Sequence, residues 1–141
     1  MKTAVVYRSG TGNTQAMAEH IIAALKAAGT DADIFSVGEI SPSAAAEYDV
    51  LLLGCPAMGA EELEPDEFEP FYAELEGLIR GKTAGLFGSY DWGDGEWLRA
   101  WRERAEAAGL DVKDTLAVNM NDDPAAPCAA FAGQFAGSRG D

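Results

Sequence analysis

Basic residues are scarce in this chain of 141 residues, where 10 lysines and arginines stand against 24 acids and the formal net charge is −14. Nucleic acid and anionic membrane surfaces would repel such a chain, whereas the basic surface of another protein would attract it. Long apolar stretches are also lacking, and none approaches the length of a membrane span. The apolar part of residues 1–7 is too short for a signal peptide, so we expect a cytoplasmic protein.

Cysteine and histidine are rare, which excludes several kinds of site. Cys55 and Cys128 form neither a metal-binding pattern nor a disulfide framework. The single histidine, His20, falls within a helical pattern where a surface position is expected, and no Ser-His-Asp grouping can be argued. Hydrophobic residues make up 48% of the chain, which indicates one globular domain, expected over residues 1–137 with a frayed tail at 138–141.

A run of small polar residues lies between a predicted strand, Thr3–Tyr7, and a predicted helix. The helix is indicated by apolar residues that recur at helical spacing from Met17 to Ala28, and Gly29 ends the pattern. The run itself consists of Ser9, Gly10, Thr11, Gly12, Asn13 and Thr14. Hydroxyls and backbone N–H groups at a helix N-terminus favour an anion, so we interpret residues 9–14 as a phosphate-binding loop.

The phosphate-binding loop matches neither common nucleotide motif. A P-loop requires a lysine, which is missing, and the dinucleotide fingerprint requires a third glycine where Gln15 stands. Neutral donors suit one terminal phosphate better than a transferable triphosphate. The loop alone leaves a second interpretation open, a glycine-rich turn with Ser and Thr caps and no ligand.

Predicted strands and helices alternate along the rest of the chain. Further strands are predicted at 32–37, 48–54 and 83–88, and a fifth contains Val112 and residues 116–118. A short turn or helix begins at Ser41, and helices are predicted at 66–79, at 96–108 and from 122–124 to about 135. This alternation predicts an α/β fold, an open doubly wound sheet of five parallel strands with helices on both faces. Ligands of such sheets bind beyond the carboxyl ends of the strands, where strand order reverses.

Two further strand-to-helix loops should lie at the same sheet edge as the phosphate-binding loop. Loop 55–62 offers Met58, Gly59 and carboxylates, and loop 89–95 places Trp92 among glycines. An exposed tryptophan usually stacks on something; the alternative is that Trp92 anchors its loop to the domain. Trp97 and Trp101 lie four residues apart on a helix and are expected in the core. A flat heteroaromatic ring with a phosphate-bearing tail would fit the three loops together.

Each of the three loops carries an extended motif. The motifs are Tyr-x-Ser-Gly-Thr-Gly-Asn-Thr at 7–14, Leu-Leu-Gly-Cys-Pro-Ala-Met-Gly at 52–59 and Gly-Ser-Tyr-x-Trp-Gly-x-Gly-Glu-Trp at 88–97. In order and spacing they resemble the flavodoxins, and most closely the short-chain flavodoxins of anaerobic bacteria. The resemblance covers nearly the whole chain, with no long insertion at 112–118. It implies strand order 2-1-3-4-5, non-covalently bound FMN, and a low-potential one-electron carrier with a stabilised neutral semiquinone.

The resemblance also implies which residues contact the FMN. Residues 9–14 would hold the phosphate through hydroxyls, the Asn13 amide and backbone N–H groups. Met58 and Gly59 would lie against one face of the isoalloxazine and Trp92 against the other. Glu61 would accept from the ring N3–H, and the backbone around 89–92 would meet the O2/N1 edge. The implied contacts beyond the phosphate are Pro56, Ala57, Met58, Gly59, Ala60, Glu61, Ser89, Tyr90, Asp91, Trp92 and Gly93.

Three positions near the implied site need separate interpretation. Ala60 stands where flavodoxins more usually have Ser, Asp, Asn or Gly, and Asp91 brings a charge toward N1 where small residues are common. Both bear on the redox potentials and not on FMN binding. Arg8 precedes the phosphate-binding loop, and its sequence position fits either a solvated side chain or a contact with the phosphate.

Acidic residues are concentrated beside the implied flavin edge. Thirteen acids, but no lysine or arginine, lie between Lys26 and Arg80, and the acidic cluster comprises Glu61, Glu62, Glu64, Asp66, Glu67 and Glu69. Such a cluster would steer basic redox partners to a monomeric carrier in a salt-dependent way. Some of these acids fit a solvated helix start equally well, because they suit the positive end of the helix dipole.

Other functions of this fold class are less well matched. A response-regulator receiver needs an Asp at the end of the third strand, where Gly54 and Cys55 stand, and a low-molecular-weight phosphatase needs an arginine at the position of Glu61. The alternative to a carrier is a small FMN-dependent reductase of the quinone reductase kind. It would need a substrate pocket and usually a nicotinamide site, and neither is visible in the sequence.

Replacing Thr11 with alanine tests the phosphate-binding loop. Losing a hydrogen bond to a charged group should weaken FMN binding roughly ten- to hundredfold, at about 1.5–3 kcal/mol. Riboflavin, which lacks the phosphate, should bind Thr11→Ala as well as it binds the wild-type chain. Titration of both ligands into the apoprotein measures the difference, and equal weakening of the two would refute the phosphate assignment.

Overall fold

The computed structural model describes residues 2–8, 12–56, 67–90, 96–119 and 121–136. The strands are Thr3–Tyr7 (β1), Ala32–Ser36 (β2), Val50–Gly54 (β3), Thr83–Tyr90 (β4) and Asp111–Asn119 (β5). The helices are Asn13–Ala27 (α1), Pro42–Ala45 (α2), Phe68–Glu76 (α3), Glu96–Ala107 (α4) and Ala125–Ala136 (α5). The expected tail at 138–141 lies outside the described residues.

All five strands are parallel and form one sheet in the order β2-β1-β3-β4-β5, which confirms the predicted fold class and strand order. β1 lies inside the sheet, where Val5 is opposite Ile34 of β2 on one side and Leu52 of β3 on the other. Every residue of β3 is buried. A continuous apolar run is the expected sequence of such a strand, because helices cover both of its faces.

Strand boundaries differ from the predicted ones where pairing continues past the apolar residues. β4 reaches Tyr90, two residues beyond the prediction, because Ser89 and Tyr90 still pair with Val118 and Asn119 of β5. β5 is one continuous edge strand and includes the polar residues between Val112 and 116. Its register against β4 shifts between Ala84 and Gly85. Ala84 pairs with Val112 and Gly85 with Asp114, so Lys113 is left out of the register. β3 begins two residues later than predicted, and β2 ends one residue earlier.

The helices match the predicted ones most closely in which residues they bury. The inward side chains predicted for α3 are buried, namely those of Phe68, Phe71, Tyr72 and Leu75. α3 ends at Glu76, earlier than predicted, because Gly77 follows as its C-cap. Beyond the helix end Ile79 is buried, whereas Leu78 is 48% exposed. His20 is exposed on α1, as predicted.

The core consists of two apolar clusters, one on each face of the sheet. Helices α1 and α5 cover one face, where Met17 and Ile21 belong to the same cluster as Phe131 and Phe135. Helices α3 and α4 cover the other face, and its cluster includes Phe68, Tyr72, Trp97 and Trp101. Both tryptophans are 2% exposed, which confirms their predicted place in the core. Both faces of the sheet are therefore covered by packed helices.

Two glycine-to-alanine substitutions, one at a tightly packed position and one at an open position, test this packing. A Cβ added at Gly85 of β4 would lie 2.5 Å from Phe135 Cζ and 2.9 Å from Leu52 Cδ2, so Gly85→Ala should destabilise the fold by about 1–3 kcal/mol. A Cβ added at Gly133 in α5 would meet no atom within 4 Å. Gly133→Ala should stabilise the fold by roughly 0.5–1 kcal/mol, because alanine is the better helix former.

Urea denaturation of the two variants measures both changes in unfolding free energy. A Gly85→Ala protein as stable as the wild type would mean that α5 does not pack on β4 as described.

Candidate functional site

The carboxyl ends of the parallel strands form one edge of the sheet, and the strand-to-helix loops leave from that edge. The chain moves from β1 to β2 on one side and returns past β1 to β3 on the other. Strand order therefore reverses at β1, which is where doubly wound sheets bind ligands. β1 ends at Tyr7, β3 at Gly54 and β4 at Tyr90, so the topology brings the ends of all three predicted binding loops together.

The N-terminus of α1 provides an anion-binding end at this edge. Gly12 precedes the helix with a φ of 93°, a left-handed conformation that glycine adopts without steric cost. No acidic side chain lies in the first turn, so nothing there opposes a negative charge. The first N–H groups of an α-helix have no acceptor within the helix. Together with the helix dipole, these donors fit a phosphate group.

Thr14 and Ser89 join the helix N-terminus to the end of β4. Their side-chain oxygens are 2.9 Å apart in a buried hydrogen bond, and the two residues are 1% and 4% exposed. The sequence predicts a phosphate donor in the Thr14 hydroxyl but not its bond to Ser89. A hydroxyl donates one hydrogen bond and accepts others. If Ser89 is the donor of this bond, the Thr14 proton remains free for an anion at the helix N-terminus.

Arg8 contacts a carboxylate on the far side of the second loop. Its Nε lies 2.9 Å from Glu67 Oε1, and its backbone N–H donates to the Gly54 carbonyl at 2.9 Å. The sequence alone fits either a solvated Arg8 side chain or one that contacts the phosphate. In the structure this side chain pairs with Glu67, one of the acids of the predicted cluster. The pair links the end of β1 to the start of α3.

Two cavities flank the N-terminus of α1. The larger, about 580 Å³, is lined by Tyr7, Arg8, Gln15, Ser36, Val37, Gly38 and Glu67. Burial raises the pKa of Tyr7 above its usual value, and the negative charges of Glu39 and Glu19 raise it further. This phenol therefore stays neutral at physiological pH. The smaller cavity, about 150 Å³, lies between α1, the end of β4 and the connection from β5 to α5.

The connection from β5 to α5 also borders this edge of the sheet, and no sequence motif points to it. Asn119 and Asp122 line the smaller cavity together with Asn13 and Ser89. The signal that could have found them is topological: β5 ends at the same edge as the other strands. Its lack of glycine and aromatic residues made the connection look unremarkable as a binding loop.

Six of the predicted contact residues lie in the described part of the chain, namely Gly12, Asn13, Thr14, Pro56, Ser89 and Tyr90. All six are at the carboxyl edge of the sheet, as predicted, although their contacts with a cofactor stay predictions. The remaining predicted residues lie outside the described residues; they are Ser9, Gly10, Thr11, Ala57, Met58, Gly59, Ala60, Glu61, Asp91, Trp92 and Gly93.

Other kinds of site find no support in the residues that the structure describes. No group of three or more His, Cys, Asp or Glu side chains within them is arranged to hold a metal ion. None of the described helices combines the length and apolar character needed to cross a membrane. Burial raises the pKa of the Cys128 thiol to about 11, so this thiol stays protonated and is a poor nucleophile.

Comparison with known proteins identifies the family. The flavodoxin family model matches residues 5–132 of the chain. The chain belongs to the flavodoxin family. It is 51% identical over 124 residues to the flavodoxin of Megasphaera elsdenii, an alignment that covers 88% of this chain and 90% of the relative. It is 42% identical over 134 residues to the flavodoxin of Clostridium beijerinckii, covering 94% and 97% of the two chains.

Solved flavodoxin structures agree with the fold. The solution structure of two-electron reduced Megasphaera elsdenii flavodoxin superposes with a TM-score of 0.89 at 48% identity, covering 95% of this chain and 98% of that one. Members of the family bind FMN and are electron-transfer proteins, not enzymes. This flavodoxin is accordingly an FMN-binding electron carrier, and the N–H groups and hydroxyls at the start of α1 fit the FMN phosphate.

A double-mutant cycle tests the hydrogen bond between Thr14 and Ser89. Thr14→Val and Ser89→Ala each remove one hydroxyl and should each destabilise the apoprotein by about 1–3 kcal/mol, since the other hydroxyl is left buried without its partner. The double variant should cost less than the sum by at least about 0.5 kcal/mol. Urea denaturation of the four proteins gives the coupling energy, and additive losses would show that the two hydroxyls do not interact.

Proposed function

We propose that this flavodoxin is a low-potential carrier that shuttles one electron at a time between redox enzymes through a stabilised neutral semiquinone. The observation that carries the FMN-binding part of the proposal is the donor end of α1, with its buried hydroxyl pair, at the point where strand order reverses. A phosphate-binding loop without lysine suits a phosphate that is bound and not transferred. The cofactor supplies the redox chemistry when bound, and the chain supplies binding, orientation and electrostatics.

The proposal assigns the phosphate to residues 9–14 and the ring to the loops that follow β3 and β4. In the first group, backbone N–H groups from Gly12 onward and the Thr14 hydroxyl donate to phosphate oxygens. In the second group, Met58 and Trp92 enclose the ring, and Glu61 accepts from its N3–H. Pro56, Ser89 and Tyr90 support this assignment, because the structure places them where those two loops leave the sheet.

We propose further that the partners present basic surfaces to the acidic side of the carrier. The net charge of −14 supports long-range attraction that weakens as salt is added. Two acids of the predicted cluster are already engaged within the chain: Glu67 pairs with Arg8, and Glu69 accepts two hydrogen bonds from Arg104, at 2.6 and 2.8 Å. The steering role is assigned to the acidic cluster as a whole, in which Glu67 and Glu69 also have partners within the chain.

The proposal describes a monomer that works in the cytoplasm. Sedimentation of the FMN-loaded protein at several concentrations checks the first part, and cell fractionation checks the second.

Stepwise reduction of the FMN-loaded protein, followed by absorption spectroscopy, tests the proposed one-electron function. We expect the bands of oxidised flavin to give way first to the long-wavelength absorption of a neutral radical and only then to the fully reduced form. A direct two-electron conversion, above all one driven efficiently by NADH without a partner enzyme, would contradict the proposal. Such a result would favour the reductase alternative.

Substitution of Gly59 tests how the one-electron state is stabilised. By resemblance to the flavodoxins, the peptide between Gly59 and Ala60 would turn over, and the Gly59 carbonyl would accept a hydrogen bond from the N5–H of the reduced ring. The turned peptide puts a residue at positive φ, which glycine tolerates and a β-branched residue does not. One hydrogen bond of roughly 1 kcal/mol shifts a one-electron potential by some tens of millivolts.

We therefore expect Gly59→Thr to lower the oxidised/semiquinone potential and to diminish the blue radical, with Gly59→Ala intermediate. Binding of oxidised FMN should barely change, because the hydrogen bond is absent from that state. Potentiometry and the radical yield measure the effect. An undiminished radical in Gly59→Thr would mean that a peptide turn at this position does not stabilise the one-electron state.

A further inference from the structure

Trp97 makes a buried hydrogen bond between the ends of two different strand-to-helix connections. It is the second residue of α4, and it is 2% exposed. Its indole N–H donates to the backbone carbonyl of Cys55 at 3.3 Å. Cys55 directly follows β3 and is completely buried. The bond therefore ties the start of the loop after β3 to the end of the loop after β4.

The Cys55 backbone is also paired with β4 through its N–H. Cys55 N–H donates to the Phe87 carbonyl at 3.0 Å, which continues the strand pairing by one residue. At Gly88 a side chain is excluded, because an added Cβ would lie 2.1 Å from the Cys55 oxygen and 2.9 Å from Trp97 Cζ2. The backbones of Gly88 and Cys55 are thus in close contact, and the Trp97 indole packs beside them.

Trp101 provides a contrast within the same helix. It is as buried as Trp97, but its ring packs edge-on against Phe68 of α3 at 5.3 Å and against Tyr72 at 5.6 Å between ring centroids. These contacts lie between helices α4 and α3. Trp101 fills the core, whereas Trp97 fills the core and also holds a backbone carbonyl beside the site.

We propose that Trp97 is a positioning residue for the part of the site that binds the flavin ring. By holding the Cys55 carbonyl, it sets where the chain enters residues 57–66 relative to where it leaves residues 91–95 before the cofactor arrives. Preorganisation of this kind raises affinity, because less conformational freedom is lost on binding. The inference rests on the proposed function, in which these two loops enclose the ring.

The test compares Trp97→Phe with the matched control Trp101→Phe. Both variants keep an aromatic ring in the core, but only the first removes a hydrogen bond to the edge of the site. Titration of each apoprotein with FMN and with riboflavin gives two affinities per variant. Trp97→Phe should weaken both ligands by the same factor, about two- to tenfold for one hydrogen bond, because the effect concerns the ring and not the phosphate. Trp101→Phe should change neither affinity by more than twofold.

Three results would overturn the inference. These are an unchanged affinity in Trp97→Phe, an equal loss in Trp101→Phe, or a loss of FMN affinity with riboflavin binding unchanged. A wild-type chain that bound neither flavin would instead overturn the proposed function, so the two failures are distinguishable.

A second measurement on the wild-type chain covers the case in which Trp97→Phe does not fold. The indole N–H of Trp97 should exchange slowly with solvent in the apoprotein, because the hydrogen bond exists before flavin binds. Exchange as fast as that of a free indole in the folded apoprotein would contradict preorganisation by this residue.

Discussion

The pairing of β1 with β2 on one side and with β3 on the other is the constraint on which the rest of the structure depends. Because all pairs are parallel, every strand ends at the same edge, and the helices must return along the two faces. The position of β1 between its two neighbours makes the chain change direction at that strand. The site follows from this topology, since the loops after β1, β3 and β4 are brought together whatever their own sequences are.

Close backbone approach gives this edge its shape, and a small number of polar contacts hold it. Gly54 and Gly88 lie against the Phe87 ring and the Cys55 carbonyl, at distances that leave no room for a Cβ. The Thr14–Ser89 hydrogen bond and the Arg8–Glu67 ion pair then join elements that are far apart in the sequence. Surface ion pairs contribute little to stability, so the buried hydroxyl pair is the stronger of these two links. Because both hydroxyls are buried, each would be left without a hydrogen-bond partner if the other were removed.

The sequence predicts most elements because its signals there are local, whereas the strand order follows from the resemblance to the flavodoxins. The apolar run of β3, the helical spacing of α1 and the glycines that end helices each depend on a few neighbouring residues. The failures have a different cause. The polar residues 113–115 of β5 give no apolar signal, and an edge strand tolerates them together with a register shift. The partners of Thr14, Arg8 and Trp97 lie 75, 59 and 42 residues away, and composition and spacing carry no information at that range.

We propose that FMN binds at the carboxyl edge of the sheet with its phosphate at the start of α1. The most direct test of this proposal follows backbone amide resonances of the isotope-labelled apoprotein by NMR while FMN is added. The account predicts large shifts for Asn13, Thr14, Ser89 and Tyr90. It also predicts unchanged resonances at the opposite edge, where Gly81 N–H donates to the Gly109 carbonyl. Shifts centred on that opposite edge, or none at Asn13 and Thr14 once the FMN is bound, would contradict it.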